Sequence, residues 1–328
     1  MIEVKNLVRK YGDFTAVDDV SFSIEKGEVV GLLGHNGAGK TTIMKMLMGF
    51  LEPSFGSVSV DGSDVQKHSI KVQANMGYLP ESLPIYPELT VVEYLQYAAR
   101  LRGASDRECV QRAIRLTGLS DKALDSVSTL SRGYKQRVGV AQSILHEPKV
   151  LVLDEPTNGL DPTQIQQMRQ LITNLSEEAT VILSTHILQE VNAVCDRAII
   201  LRSGSLALDE SLTSLKSSQS IKLRTSAEAS VQASLAGLEV IEKLENPSSG
   251  LWILTIKGDS EAAAPGIADA LISSGCPLIE LAHESRDLET VFREINEQEL
   301  NAVEEKYCVI RFYLGLLPKS LNCFFLLQ

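Results

Sequence analysis

Gly34-His35-Asn36-Gly37-Ala38-Gly39-Lys40-Thr41-Thr42 follows the apolar run Val29-Val30-Gly31-Leu32-Leu33 and opens a helical pattern at Lys40. A glycine-rich turn set between a strand and a helix lets successive backbone N–H groups curl round phosphate oxygens, and the helix N-terminus adds a favourable dipole. In this pattern the lysine reaches the outer phosphates and the hydroxyl after it is placed to ligate Mg²⁺. Gly34, Asn36, Gly37, Ala38, Gly39, Lys40, Thr41 and Thr42 are therefore the candidate phosphate-binding residues. The bland alternative is a glycine-rich turn with a solvated lysine, and the strand and helix on either side argue against it.

Further along, Val150-Leu151-Val152-Leu153-Asp154-Glu155 reads as a buried strand ending in two carboxylates. In an open α/β sheet such a strand end lies at the edge where the phosphate loop also sits. Alternation along a strand sends Asp154 and Glu155 in different directions. One is then free to hold Mg²⁺ while the other addresses an attacking water as base. Taken in isolation, the pair would read as solvated carboxylates.

Outward from these two stretches, strand and helix alternate. Strand patterns fall at Ile2 to Val8, Val17 to Ile24, Gly56 to Val60, Asn75 to Leu79, Val181 to Ser184 and Ala198 to Leu201. Helical periodicity covers Val91 to Arg102, Asp106 to Thr117 and Arg132 to His146, a helical insert at about 85–146. The alternation predicts an α/β fold with a mostly parallel sheet covered on both faces. Near Ser211 to Ser220 the chain turns Ser-rich and polar, which marks a domain boundary. Beyond it the order strand (Ile221 to Arg224), helix (Ala227 to Leu235), strand (Glu239 to Leu244), strand (Leu251 to Ile256), helix (Ala262 to Ser273), strand (Leu278 to His283) and helix (Leu288 to Asn296) predicts a small α+β sandwich of ferredoxin-like type. The expected division is 1–215, 219–298 and an apolar tail, 299–328. Trp252, on one of these later strands, reads as core.

With 31 Lys and Arg against 42 Asp and Glu in 328 residues, the formal net charge is -11. That balance speaks against a grip on the nucleic-acid backbone, which is made by neutralising phosphates. Cys109, Cys195, Cys276, Cys308 and Cys323 stand far apart, with no Cys-x-x-Cys pair, and indicate neither a zinc site nor a disulfide framework. Met1 to Lys10 alternates apolar and polar residues and reads as a strand, not a secretory leader. Val309 to Leu327 is apolar but is broken by Arg311, Pro318, Lys319 and Asn322. It barely reaches the roughly 20 residues a spanning helix needs and is not read as one.

The chain resembles the ATP-binding subunits of ABC transporters over about Ile2 to Leu215. Leu130-Ser131-Arg132-Gly133-Tyr134-Lys135-Gln136-Arg137 is similar to the family signature, Gly159-Leu160-Asp161 to its D-loop and Ser184-Thr185-His186 to its switch-histidine loop. Tyr11 stands where the family stacks an aromatic ring on adenine. The resemblance implies a P-loop NTPase core that binds ATP and Mg²⁺, with Glu155 and His186 as the catalytic pair and Thr41, Asp154 and Glu81 toward the metal. Glu81, in Tyr78-Leu79-Pro80-Glu81, stands where the family has glutamine. The resemblance also implies head-to-tail pairing of two copies, each ATP lying between one copy's phosphate loop and the other's Ser131 and Gly133. A helix N-terminus at that point offers N–H donors and positive dipole to a terminal phosphate. Ser131 also reads as an ordinary helix N-cap, and His186 taken alone as a packed histidine.

Arg132 and Tyr134 depart from the usual glycine and glutamine. Together with Glu81 they resemble export ATPases of the drug-resistance and gliding-motility kind. That implies multispanning membrane permease subunits as partners and a cytoplasmic place on the inner face of the membrane. The alternative is a soluble ABC ATPase acting on ribosomes or DNA. Against it stand a single set of motifs and an insert of ordinary length between Gly34 and Asp154.

Overall fold

Alternating burial along β1 (Ile2–Tyr11) and β2 (Phe14–Ile24) puts Ile2, Val4, Leu7, Val20, Phe22 and Ile24 on one inward face. The computed structural model describes residues 1–104, 107–216, 220–226, 228–235, 237–258, 260–283 and 287–295. The expected tail, 299–328, and the interrupted apolar stretch, 309–327, lie outside them. β1 and β2 pair antiparallel, and with β4 (Phe55–Val60) and β5 (Ser63–Asp64) they form a four-stranded sheet in the order β2-β1-β4-β5.

A second sheet carries the two motif strands. β3 (Val29–Leu33), β7 (Val150–Asp154) and β8 (Thr180–Thr185) are buried at every residue. Near-continuous apolar runs of this kind belong to parallel strands covered on both faces. With β6 (Met76–Leu79), β9 (Arg197–Arg202) and β10 (Ser205–Ser211) the order is β10-β9-β3-β8-β7-β6. All neighbours run parallel except β10, which returns antiparallel along β9. Arg197 secures that edge, giving Nε and Nη2 to the two carboxylate oxygens of Asp209 at 2.6 and 2.7 Å.

The period-two alternation of the strands divides the core in two. Val30, Leu32, Val150, Val152 and Ile182 face the four-stranded sheet and the apolar side of α1 (Lys40–Leu47). Leu151, Leu153, Val181 and Leu183 face a helical layer. α2 (Ser69–Gln73) is a short link. The layer is built from α3 (Val91–Leu101), α4 (Arg107–Leu116), α5 (Arg132–Ile144) and α6 (Pro162–Ser176). α3 begins on a capping box in which Glu93 N–H donates to the Thr90 hydroxyl and the Glu93 carboxylate accepts from Thr90 N–H. α6 begins on Asp161, with Pro162 in its first turn. α7 (Leu188–Val194) leads to β9.

Met1–Ser211 is one compact unit and Leu212–Arg293 another. The second opens with α8 (Leu212–Lys216) and continues as β11 (Ser220–Thr225), α9 (Glu228–Leu235), β12 (Ile241–Ser248), β13 (Leu251–Ile256), α10 (Ser260–Ser273) and β14 (Leu278–His283). Its antiparallel sheet runs β12-β13-β11-β14, the arrangement of the β-α-β-β-α-β sandwich. Trp252 lies in its core with Ile221, Leu223, Leu254, Ile267 and Leu271.

Candidate functional site

Parallel register brings the motifs together. Leu33 at the end of β3 lies opposite Thr185 at the end of β8, and Ser184 lies opposite Asp154 at the end of β7. The glycine loop, Glu155 and His186 therefore leave the sheet side by side. They border a cleft of about 490 Å³ whose lining includes His35, Asn36, Gly37, Gly39, Lys40, Thr41 and Thr42. Asp154, Glu155, His186 and Glu81 line it too, as do the aromatic rings of Tyr11 and Phe14 and the methyl group of Ala16.

Lys40 is only 7% exposed. Its ammonium donates to the carbonyl oxygens of Gly34 at 2.6 Å and His35 at 3.2 Å, which holds it across the loop. Burial lowers its pKa, and the charges of Glu155, Asp154 and Glu81 oppose that shift. Gly39, at φ 102°, turns the chain into α1 in a conformation that a residue with a Cβ adopts at a cost.

Asp154 is 1% exposed. Its Oδ1 accepts from the Ser184 hydroxyl at 2.7 Å and its Oδ2 from the Thr41 hydroxyl at 3.2 Å. The carboxylate thus faces the first turn of α1 and is fixed from both sides. Carboxylate and hydroxyl form an all-oxygen donor set, the chemistry Mg²⁺ takes. No group of three or more His, Cys, Asp or Glu among the described residues could hold a metal alone. An ion here would need oxygens from the nucleotide and water as well. Glu81 sits in the same lining, its Oε1 accepting from Asn158 Nδ2 at 3.5 Å. Burial, with the charges of Asp154 and Glu81, pushes the neighbouring Tyr78 phenol up to about 12.

Glu155 has φ 49°, a left-handed conformation uncommon for a non-glycine residue. Its N–H still donates to Ser184 O at 3.0 Å, so the chain leaves the sheet abruptly right after that bond. Oε2 lies 2.9 Å from His186 Nδ1. Burial raises the Glu155 pKa, while the charge and hydrogen bond of His186 and the charge of Lys40 pull it back. The result is a carboxylate held by an imidazole at the open side of the phosphate loop, the geometry of a general base and its orienting partner.

Two residues of the loop and two of the signature segment stand outside the cleft lining. Gly34 turns its Cα toward Leu201 O, where a Cβ would come within 2.6 Å, and Ala38 is buried in the core below α1. Ser131 caps α5, its hydroxyl accepting from Tyr134 N–H at 3.4 Å, and neither it nor Gly133 is part of this chain's cleft. Phe14, Ala16, His35 and Asn158 line the cleft but were not among the expected site residues. Phe14 lies directly across the hairpin from Tyr11, so the pair shares a face of the four-stranded sheet. The guanidinium of Arg9 lies 4.5 Å from the centre of the Tyr11 ring. The short turn at Gly12 was the sequence signal for Phe14; Asn158 had none.

Fold and site together define a P-loop nucleotide hydrolase with an added helical layer. The comparisons narrow that class. The ABC transporter family model matches residues 17–158. Bacitracin transport ATP-binding protein BcrA of Enterococcus faecalis is 37% identical over 217 residues, 66% of this chain and 70% of its own length. The ABC transporter ATP-binding protein YxlF of Bacillus subtilis is 32% identical over 301 residues, 90% of this chain and 99% of its own length. A dimeric structure of a bacterial ABC transporter cassette matches with a TM-score of 0.59 at 25% identity, over 65% of this chain and 99% of that one. The chain belongs to the ABC transporter ATP-binding proteins, and it is an ATPase of that family.

Proposed function

We propose that this chain powers an exporter by closing as a pair of copies over Mg-ATP, with separate multispanning membrane subunits carrying the cargo. The observation that carries the reading is the position of Ser131 and Gly133. Their helix start belongs to the signature segment, yet it is absent from the cleft that holds the phosphate loop. A nucleotide in that cleft has an open side that a second copy's α5 would cover. The dimeric relative supports this reading. Export rests on the departures at Glu81, Arg132 and Tyr134, and the similarity to a bacitracin transport protein supports transport by the resistance-type subgroup. No helix among the described residues is long and apolar enough to cross a membrane; the resemblance to ABC transporter ATP-binding subunits is what assigns the channel to other subunits, with this chain on their cytoplasmic side.

Within the site, Lys40 and the loop N–H groups of Asn36, Gly37, Gly39, Thr41 and Thr42 hold the phosphates. Tyr11 and Phe14 take the base. Thr41, Asp154 and Glu81 would hold Mg²⁺, which supplies charge neutralisation at the phosphates when bound. Glu155 orients and deprotonates the attacking water, and His186 fixes its carboxylate. Replacing Glu155 by Gln keeps the shape and removes the base, so hydrolysis should slow by about 10²- to 10⁴-fold. With Mg-ATP the variant should run as a dimer on size exclusion. A monomer under saturating Mg-ATP would contradict the shared site.

A further inference from the structure

The start of α5 rests on the loop that follows the acidic strand. A Cβ on Gly159 would lie 2.5 Å from the guanidinium carbon of Arg132, 2.6 Å from its Nη1 and 2.8 Å from its Nε. Carbon and both nitrogens are nearly equidistant from that point, so the guanidinium lies broadside across the space a Gly159 side chain would take. Gly159 has φ 73°, and any side chain there would both strain the backbone and displace the arginine. Arg132 is exposed and makes no hydrogen bond or ion pair among the described residues, so its approach to Gly159 is the contact its head makes there.

Two further contacts join the same elements. A Cβ on Gly133 would come within 2.7 Å of the side-chain amide of Gln164 in α6. Arg137 Nη2 donates to Gln167 Oε1 at 2.6 Å. α5 therefore meets the loop at Gly159 and α6 itself at Gln164 and Gln167. From Gly159 the connection to the cleft is short. Asn158 lines it, its N–H donates to Glu155 O at 3.1 Å and its side chain reaches Glu81. On the other side, Leu160 N–H donates to Thr157 O at 3.1 Å, and the Asp161 carboxylate accepts from Gln164 N–H at 2.8 Å. The loop is tight throughout, so a push at Gly159 has little slack to absorb it.

We propose that Arg132 is a positioning residue for hydrolysis. Its guanidinium ties the first turn of α5 to Gly159, so that engagement of Ser131 and Gly133 by the partner's nucleotide is passed to Asn158 and the Glu155 main chain of the same subunit. The proposal rests on the reading of a shared ATP site given above. Lysine is not an equivalent tie, because its ammonium has no flat face to lay on a peptide.

The test is a double-mutant cycle on the full chain. Arg132→Gly should lower kcat about tenfold and leave the ATP concentration for half-maximal rate within about twofold, the range seen for directly coupled residues. Gly159→Ala should lose a similar factor, and the double variant should be no slower than about twofold below the slower single one. Losses that multiply, or an Arg132→Gly enzyme with the wild-type kcat, overturn the proposal. A second measurement needs no turnover: amide hydrogen exchange at 158–160 in nucleotide-free protein should be several-fold faster in Arg132→Gly, and unchanged exchange overturns the tie. Faster exchange in a protein whose wild type hydrolysed no ATP would uphold the tie and overturn the functional reading instead.

Discussion

Glu155 is pulled two ways by its surroundings. Burial disfavours its charged form, and His186 with Lys40 favours it, leaving the pKa above the ordinary carboxylate value. A base must be ionised to act, so activity is lost as pH falls through that raised pKa. ATPase rate should therefore fall on the acid side at a higher pH than a solvated carboxylate would give. His186→Ala removes a charge and a hydrogen bond that lower the pKa, and the acid limb should then move to still higher pH. A limb that stays in place or moves down would mean that Glu155 is not the titrating base, or that His186 does not hold it. The measurement is kcat/KM against pH for both proteins, which reports the groups of the free enzyme.

The loops at the sheet edge are where composition and function separate. Glu81 follows β6 in the link toward α3 and brings an acceptor-only carboxylate to a place where the family has an amide. Either side chain offers an oxygen to Mg²⁺, which takes oxygen ligands in a strict octahedron. Glu81→Gln should keep most activity, whereas Glu81→Ala should raise the Mg²⁺ concentration for half-maximal rate without changing metal-free ATP affinity. A magnesium titration checks this, and superimposable curves for wild type and Glu81→Ala would leave Glu81 without a role at the metal.

The same elements show what the sequence made legible. The loop at Gly34–Thr42 and the strand at Val150–Asp154 could be read from local pattern because a phosphate cradle and a buried parallel strand each impose residue types at fixed spacing. Pairing was less legible. Ile2 to Val8 and Val17 to Ile24 showed the strand period, but the pattern marks an inward face without naming its partner, and these strands form a separate antiparallel sheet. β10 was missed because Ser205–Ser211 alternates only weakly and its place depends on β9 and on Arg197 reaching Asp209. The strand expected at Glu239 to Leu244 runs instead from Ile241 to Ser248, since its exposed, charged edge gives little signal. Asn158 and the broadside contact of Arg132 on Gly159 are tertiary facts without a local signature.

At the scale of the molecule, two compact units share one chain, and the similarity to the Bacillus subtilis relative YxlF spans nearly the whole of that protein. The first unit holds the cleft, and its own Ser131 and Gly133 lie outside that cleft, which leaves a second copy's signature segment to complete the proposed ATP site. Mixing two disabled variants tests whether the site is shared. Lys40→Ala removes the buried cation from the phosphate loop, which should abolish tight ATP binding in its own cleft. Ser131→Arg should leave that binding nearly intact and block hydrolysis on the partner. Each variant alone should be inactive. In a mixture, the Ser131→Arg copy supplies a sound phosphate loop and the Lys40→Ala copy a sound signature segment, so one competent site per heterodimer should return, with at most about half the wild-type rate. A mixture no more active than either variant alone would mean that the two motifs act within one chain, and a Ser131→Arg protein that hydrolyses ATP unaided would remove Ser131 from the site.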